Sequence, residues 1–234
     1  MGFIGIIRQA LVSLVYPDFC EVCGESLVSG ERVICISCLY EMPRTRFWTT
    51  SENEMERMFW GRIKIEHACA LFYFRKGSAF RPLLHKLKYK GIVDIGRRLG
   101  EELGNMLSSS ELYSDVDCIV PVPLHSRKER NRGYNQSDYI AEGLSARMND
   151  IPVMKNNLIR TTFTETQTRR GRIDRWKNVS TVFAVQNPEA FRGKHILLVD
   201  DVITTGATLE ACAETLLKST DCKISIAALA FVSR

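Results

Sequence analysis

The sequence has no recognisable export or membrane signal. Its longest apolar opening, GFIGIIRQALVSLVYP, has the length of a signal-peptide core but lacks a basic leader, is interrupted by Arg8, and has no small-residue cleavage site after it. No other run approaches the roughly 20 apolar residues of a membrane span. Phe3, Ile7, Leu11 and Leu14 instead space an amphipathic docking helix that ends at Tyr16-Pro17, and a cytoplasmic location is expected. Internal repeats and low-complexity tracts are also missing, so a repeat array is excluded. Charge of one sign is in small excess only. A net +5 suits an anionic ligand but does not by itself establish nucleic-acid binding. With 234 residues, 45% hydrophobic and 25% charged, the chain can hold one sizeable core plus a small accessory unit.

Cysteine, by contrast, is abundant and patterned. Four of the eight cysteines form two matched knuckles, Cys20-x2-Cys23 and Cys35-x2-Cys38, eleven residues apart. Each knuckle turns two sulfurs to one side of a tight loop, with Gly24 easing the first, and together they complete a tetrahedral thiolate shell for a structural zinc. A pair of disulfides is the competing arrangement, which a reducing compartment disfavours. Cys69, Cys118, Cys212 and Cys222 stand among apolar residues and are expected to be core thiols.

The chain is organised around HILLVDDVITTGATLEACAETLL, His195 to Leu217. Ile196 to Val199 has the β-branched, apolar character of a buried parallel strand. Asp200 and Asp201 follow, then a turn of small and hydroxylated residues, Thr204, Thr205, Gly206, Ala207 and Thr208. Leu209, Ala213, Leu216 and Leu217 then recur at helical spacing. Backbone N–H groups of such a turn, with a helix N-terminus behind them, form a nest for phosphate. Gly206 permits a left-handed backbone and close approach of the anion, and the threonines add hydroxyl donors. The two carboxylates would repel phosphate, so they suit sugar hydroxyls or a magnesium ion. A phosphate nest beside a hydroxyl-accepting pair describes a ribose 5-phosphate site. No Gly-Lys-Ser/Thr follows, so this is not a Walker A loop. Threonines that merely cap a helix would not need two aspartates and four further small residues in register.

Elsewhere the pattern alternates strand and helix. HACALFYF (67–74) and DCIVPVP (117–123) are expected strands, SAFRPLLHKLKYK and residues 94–107 expected helices, 181–185 an edge strand and 223–232 the strand that closes the sheet. Lys86, Lys88 and Lys90 are either a solvated face or ligand contacts. Ser51-x-x-Glu54 has the form of a capping box for a short helix carrying Met55, Met58, Phe59 and Trp60, expected to pack the zinc unit onto the main domain. After the DCIVPVP strand the sequence LHSRKERNRGYNQS is expected to be a loop in which Arg127, Lys128, Arg130 and Arg132 converge around Gly133, ahead of a helix from about Asn135. Guanidinium forks suit pyrophosphate, and loops beyond the carboxyl ends of parallel strands are where open α/β sheets hold ligands. A solvent-exposed basic loop is the alternative.

The acidic pair and T-T-G-x-T loop closely resemble the phosphoribosyl pyrophosphate (PRPP) motif of type I phosphoribosyltransferases. With the knuckle pair, LKYKG (87–91), PVPLHSRKERNRGYNQ and TETQTRRGRIDRWKNV, nearly the whole chain resembles the ComF family, phosphoribosyltransferase-like proteins associated with competence for DNA uptake. The resemblance implies an α/β fold with a mainly parallel sheet flanked by helices and a small N-terminal zinc-finger unit. Residues 1–42 would hold the N-terminal helix and finger, 43–60 a connector, and 61–234 the phosphoribosyltransferase-like domain. It implies PRPP or ribose 5-phosphate as ligand, with magnesium. Asp200 and Asp201 would be catalytic, and Thr204 through Thr208, Arg127, Arg132, Gly133 and Gln167 would bind PRPP; Asn135, Gln136 and the Arg175–Asn178 region also match family segments. The expected chemistry is transfer or cleavage at the ribose carbon bearing pyrophosphate. The alternative is a non-catalytic scaffold for single-stranded DNA or a helicase-like competence partner. Residues 161–177 fit a lid over the site, a strand-binding segment in which Trp176 stands among Arg169, Arg170, Arg172, Arg175 and Lys177, or plain surface.

Overall fold

The apolar run ahead of the aspartate pair is the strand β5 (His195–Ile203), and its residues 196–199 are fully buried. In the computed structural model, which describes residues 18–75, 77–161 and 182–233, β5 lies inside a four-stranded sheet. Its neighbours are β2 (Cys118–Pro121) and β6 (Lys223–Phe231), with β1 (Ala68–Tyr73) beyond β6. Every neighbouring pair is parallel, with Val199 in register with Pro121 and Ala227, and Asp200 with Ala228. Parallel strands covered on both faces read as continuous apolar runs, as ACALFY, CIVP and ISIAALAF do here. The expected parallel α/β fold is therefore present.

Helices α3 (Phe80–Tyr89), α4 (Asp94–Ser108), α6 (Gln136–Ser145) and α7 (Ala207–Ser219) carry the apolar faces expected of them. Leu83, Leu84 and Leu87 of α3 are buried, as are Leu209, Ala213 and Leu216 of α7. Between α4 and α6 the contact is unusually close. A methyl group at Gly100 would lie 2.3 Å from the Ile140 carbonyl oxygen, and one at Gly143 would lie 2.1 Å from that of Arg97. Only glycine lets the two backbones meet at this distance, and that contact sets where the start of α6 stands relative to the sheet.

Four expectations change. The basic LHSRKERNRGYNQS stretch is not a loop: residues 126–132 form a two-turn helix, α5 (Ser126–Arg132), capped by His125 and ended by Gly133 at φ 80°. The short connector helix, α2 (Glu54–Arg57), is capped by Asn53 rather than Ser51, because the Asn53 side chain accepts from the Met55 and Glu56 N–H groups. β6 does not close the sheet but runs inside it, between β1 and β5. Instead of edging that sheet, β4 (Phe183–Val185) pairs antiparallel with β3 (Leu158–Arg160) in a separate two-stranded sheet. The expected docking helix before Pro17, Gln167, and the Arg169–Lys177 segment lie outside the described residues.

The knuckle unit and connector are tied into this core. Leu39 and Met42, in and just after α1 (Ile36–Glu41), belong to the continuous buried cluster. Lys86 of α3 donates to the Glu21 carbonyl at 2.9 Å and its carboxylate at 2.8 Å, and Arg44 pairs with Glu102 at 2.7 Å. Buried Asn53 also donates to the Ala68 carbonyl at 2.9 Å, fixing the connector to β1.

Because the α4–α6 contact leaves no room for a side chain, Gly143→Ala should destabilise the fold by about 1–3 kcal/mol, the usual range for overpacking. Gly193→Ala, where a methyl group meets nothing but the backbone is left-handed, should cost less, about 1 kcal/mol. Urea unfolding of both variants checks the difference.

Candidate functional site

Asp200 and Asp201 stand near the carboxyl end of β5, where the sheet opens towards the loop that follows. Asp201 is buried and Asp200 half-buried. The pair is partly compensated from within the chain. The Asp200 Oδ1 accepts the Asp201 N–H at 2.8 Å and the Ser137 hydroxyl at 3.4 Å. The Lys88 ammonium lies 2.9 Å from Asp201 Oδ1. Asp201 Oδ2 is buried with no hydrogen-bond partner among the described residues. Burial, and then the neighbouring Asp201, push the Asp200 carboxyl up to about 7, since a second negative charge is disfavoured in a site withdrawn from water. Two carboxylates with an unused oxygen fit a magnesium ion, which takes one or two protein oxygens and completes its shell with water and substrate.

The loop after β5 reaches α7 within a few residues. Gly206 adopts φ 74°, is buried, and serves as the N-cap of α7, so the expected left-handed position is real. Thr204, Thr205, Ala207 and Thr208 are exposed, and the Thr205 hydroxyl accepts the Ala207 N–H at 3.4 Å. The connector forms the floor of this loop. A methyl group at Gly206 would lie 3.0 Å from the Phe59 ring and 3.8 Å from the Met58 methyl. Arg62 donates to the Thr205 carbonyl at 3.2 Å and pairs with Glu210 of α7. Of the connector residues expected to join finger to domain, Met58 and Phe59 therefore support the candidate phosphate loop, while Trp60 is exposed.

The basic residues divide. Arg127, Lys128 and Arg130 are exposed on α5 and do not converge, because a helix spreads them around its axis. Arg132 is half-buried; it donates to Gln136 Oε1 at 2.6 Å and its guanidinium lies 5.0 Å from the Tyr89 ring centre. Tyr134 donates its hydroxyl to the Leu87 carbonyl. The LKYKG turn and the RNRGYN turn thus face each other across a cleft of about 340 Å³, lined by Lys88, Tyr89, Gly91, Lys128, Arg132 and Tyr134 among others. Lys88 belongs both to this cleft and to the carboxylate pair. Asn135 caps α6 and reaches back to the Val122 carbonyl at 3.1 Å, which anchors the turn to the strand segment it leaves. A larger hollow of about 570 Å³ between the knuckle unit and α4 is lined by none of these groups.

Of two further contributors, Ser137 is not among the expected site residues, and Lys88 is one of the lysines for which the sequence leaves ligand contact and a solvated face open. Ser137 carries no local signal, being one serine at the start of a helix. Lys88 is one of three lysines on a helix that looks solvated, and only the fold distinguishes it from Lys90, which is exposed.

At the knuckles, the sulfurs of Cys20, Cys23, Cys35 and Cys38 all lie within 4.8 Å of one another and none is in a disulfide. The Cys23–Cys35 separation of 3.8 Å equals the edge of a thiolate tetrahedron built on metal–sulfur bonds of about 2.3 Å. The Cys35 and Cys38 N–H groups point at the sulfurs of Cys20 and Cys35 at 3.3 and 3.4 Å. Burial raises the Cys20 thiol, but backbone N–H groups outweigh it and lower its pKa to about 7, whereas Cys35 and Cys38 are pushed up, Cys38 chiefly by burial and both by the neighbouring thiols. This cluster can hold a metal ion.

A family profile described as the phosphoribosyl transferase domain matches residues 140–234. Competence protein F of Haemophilus influenzae is 37% identical over 140 residues, 58% of this chain and 61% of that protein. The DNA utilization protein YhgH of Escherichia coli K12 is 33% identical over 141 residues, 59% of this chain and 61% of that protein. The chain thus spans about three-fifths of the length of the relatives it matches. Among solved structures, the glutamine PRPP amidotransferase of B. subtilis, complexed with ADP and GMP, aligns at a TM-score of 0.43 and 19% identity. That alignment covers 61% of this chain and 30% of that one. No described helix is long and apolar enough to cross a membrane.

Proposed function

We propose that this chain, which is similar to competence protein F and YhgH and matches the phosphoribosyl transferase domain profile over residues 140–234, binds PRPP with magnesium and reacts it at the ribose carbon bearing pyrophosphate. The observation that carries the reading is the juxtaposition of the Asp200/Asp201 pair with the Gly206 turn at the start of α7. In this reading the backbone N–H groups of residues 204–208 hold the 5-phosphate. Gly206 brings the backbone close to the anion, and Phe59 beneath it keeps the turn from collapsing. Asp200 and Asp201 hold the ribose hydroxyls and magnesium, which would neutralise charge on the departing pyrophosphate. Arg132 and Lys128 line the cleft where the pyrophosphate is expected, with Arg127 on the same helix available from solvent. As pyrophosphate leaves, positive charge develops on the sugar ring beside the carboxylates, so positioning and electrostatic stabilisation carry the catalysis. The relatives' names, competence protein and DNA utilization protein, support a role for this chemistry in the handling of DNA. Gln167 as a PRPP ligand is part of the same proposal, and a non-catalytic scaffold that contacts single-stranded DNA or a helicase-like partner is the alternative to it.

We also propose zinc at the four cysteines, in a closed structural role. Elemental analysis should find one zinc per chain. Cys35→Ser should release it and loosen the knuckle unit while leaving PRPP binding largely intact. Thiols recovered as disulfides, or protein free of zinc, would contradict this.

Calorimetry tests the ligand. Wild-type protein should bind PRPP in the presence of magnesium, and Gly206→Val should abolish binding with normal zinc content, because a β-branched residue is strained at φ 74° and meets the Phe59 ring. Asp200→Asn and Asp201→Asn should weaken PRPP more than inorganic phosphate. Absence of wild-type binding would leave the non-catalytic scaffold as the reading.

A further inference from the structure

We infer that Lys88 stands in for the divalent cation at Asp201 and must release that carboxylate before magnesium-bound PRPP can seat; the inference rests on the phosphoribosyl reading above. Lys88 and Asp201 are 2.9 Å apart with side chains only 25% and 6% exposed, so this is a largely desolvated ion pair and not a surface one. It satisfies only one side of the carboxylate, for Asp201 Oδ2 is buried with no partner among the described residues. A cation at Oδ2 would face the Lys88 ammonium across one carboxylate, and two positive charges at that range repel strongly where water is scarce. Metal and ammonium therefore compete.

The surroundings make such an exchange possible without refolding. The turn that carries Lys88 is held on both sides of it, by the Tyr134 hydroxyl on the Leu87 carbonyl and by Arg132 over the Tyr89 ring. Movement then falls to the lysine side chain, a point charge on a flexible four-carbon stem and better suited to exchange than a guanidinium fork. Lys88 also lines the cleft with Lys128 and Arg132, where an entering diphosphate would offer the displaced ammonium a new anion. Ligand entry and metal entry are thereby linked through one side chain, and the carboxylate pair is protected from adventitious cations until an anion arrives.

The test is manganese binding followed by electron paramagnetic resonance, on zinc-loaded protein without PRPP. Lys88→Gln should bind Mn²⁺ about tenfold more tightly than wild type, the factor expected for losing one charge-assisted competitor. Lys88→Met serves as a second neutral variant if Lys88→Gln does not fold. Lys88→Arg should stay as weak as wild type, and adding Asp201→Asn to Lys88→Gln should erase the gain. Equal or weaker Mn²⁺ affinity in the folded neutral variants, with PRPP still bound by wild type, overturns this inference alone. A gain in Lys88→Arg equal to that of Lys88→Gln also overturns it. Failure of wild type to bind PRPP overturns the phosphoribosyl reading beneath it.

Discussion

Two adjacent carboxylates near the end of a strand covered on both faces constitute the constraint on which this structure depends. Withdrawing them from water is costly unless positive charge and hydrogen bonds reach them. Each compensating group comes from a different element: Lys88 from the end of α3, Ser137 from the start of α6, and the chain's own N–H from the strand. The positions of α3 and α6 are therefore part of the site. The glycine contact between α4 and α6 fixes one of them, and Lys86, two residues before Lys88, ties the other to the knuckle unit through Glu21. A change in either support alters how far the carboxylates are neutralised.

The connector has a matching part on the other side of the loop. Asn53 fixes it to β1, and from that anchor Phe59 reaches under Gly206 and Arg62 reaches the Thr205 carbonyl. A left-handed glycine at the start of a helix is shaped for an anion only if the turn keeps its form when empty. Phe59 supplies that support from a segment more than 140 residues away in sequence. The knuckle unit and connector therefore brace the site as well as extend the chain.

Much of this was legible in the sequence. The apolar run, acidic pair, small-residue turn and helical repeat of 195–217 fall in β5, the Gly206 turn and α7, because each rests on a local rule: burial on both faces, positive φ, helical period. The two Cys-x2-Cys turns likewise gather their sulfurs. What failed was less local. The basic stretch has the charge density of a loop, yet Arg, Lys and Glu are good helix formers and Gly133 is a fitting stop. Asn53 outcompeted Ser51 as a cap because its amide also satisfies the Ala68 carbonyl, a tertiary contact no capping pattern contains. Lys88 was indistinguishable from its neighbours for the same reason, since its partner lies 113 residues downstream, in β5.

The central claim, that the Gly206 turn holds a sugar phosphate beside the carboxylate pair, is tested most directly by nuclear magnetic resonance during titration with ribose 5-phosphate. The account predicts that the backbone amide resonances of residues 204–208 shift most, accompanied by the amide of Ser137, whose hydroxyl donates to Asp200, while the knuckle unit stays unchanged. Shifts confined to the exposed basic face of α5, with the 204–208 amides unmoved, would contradict it.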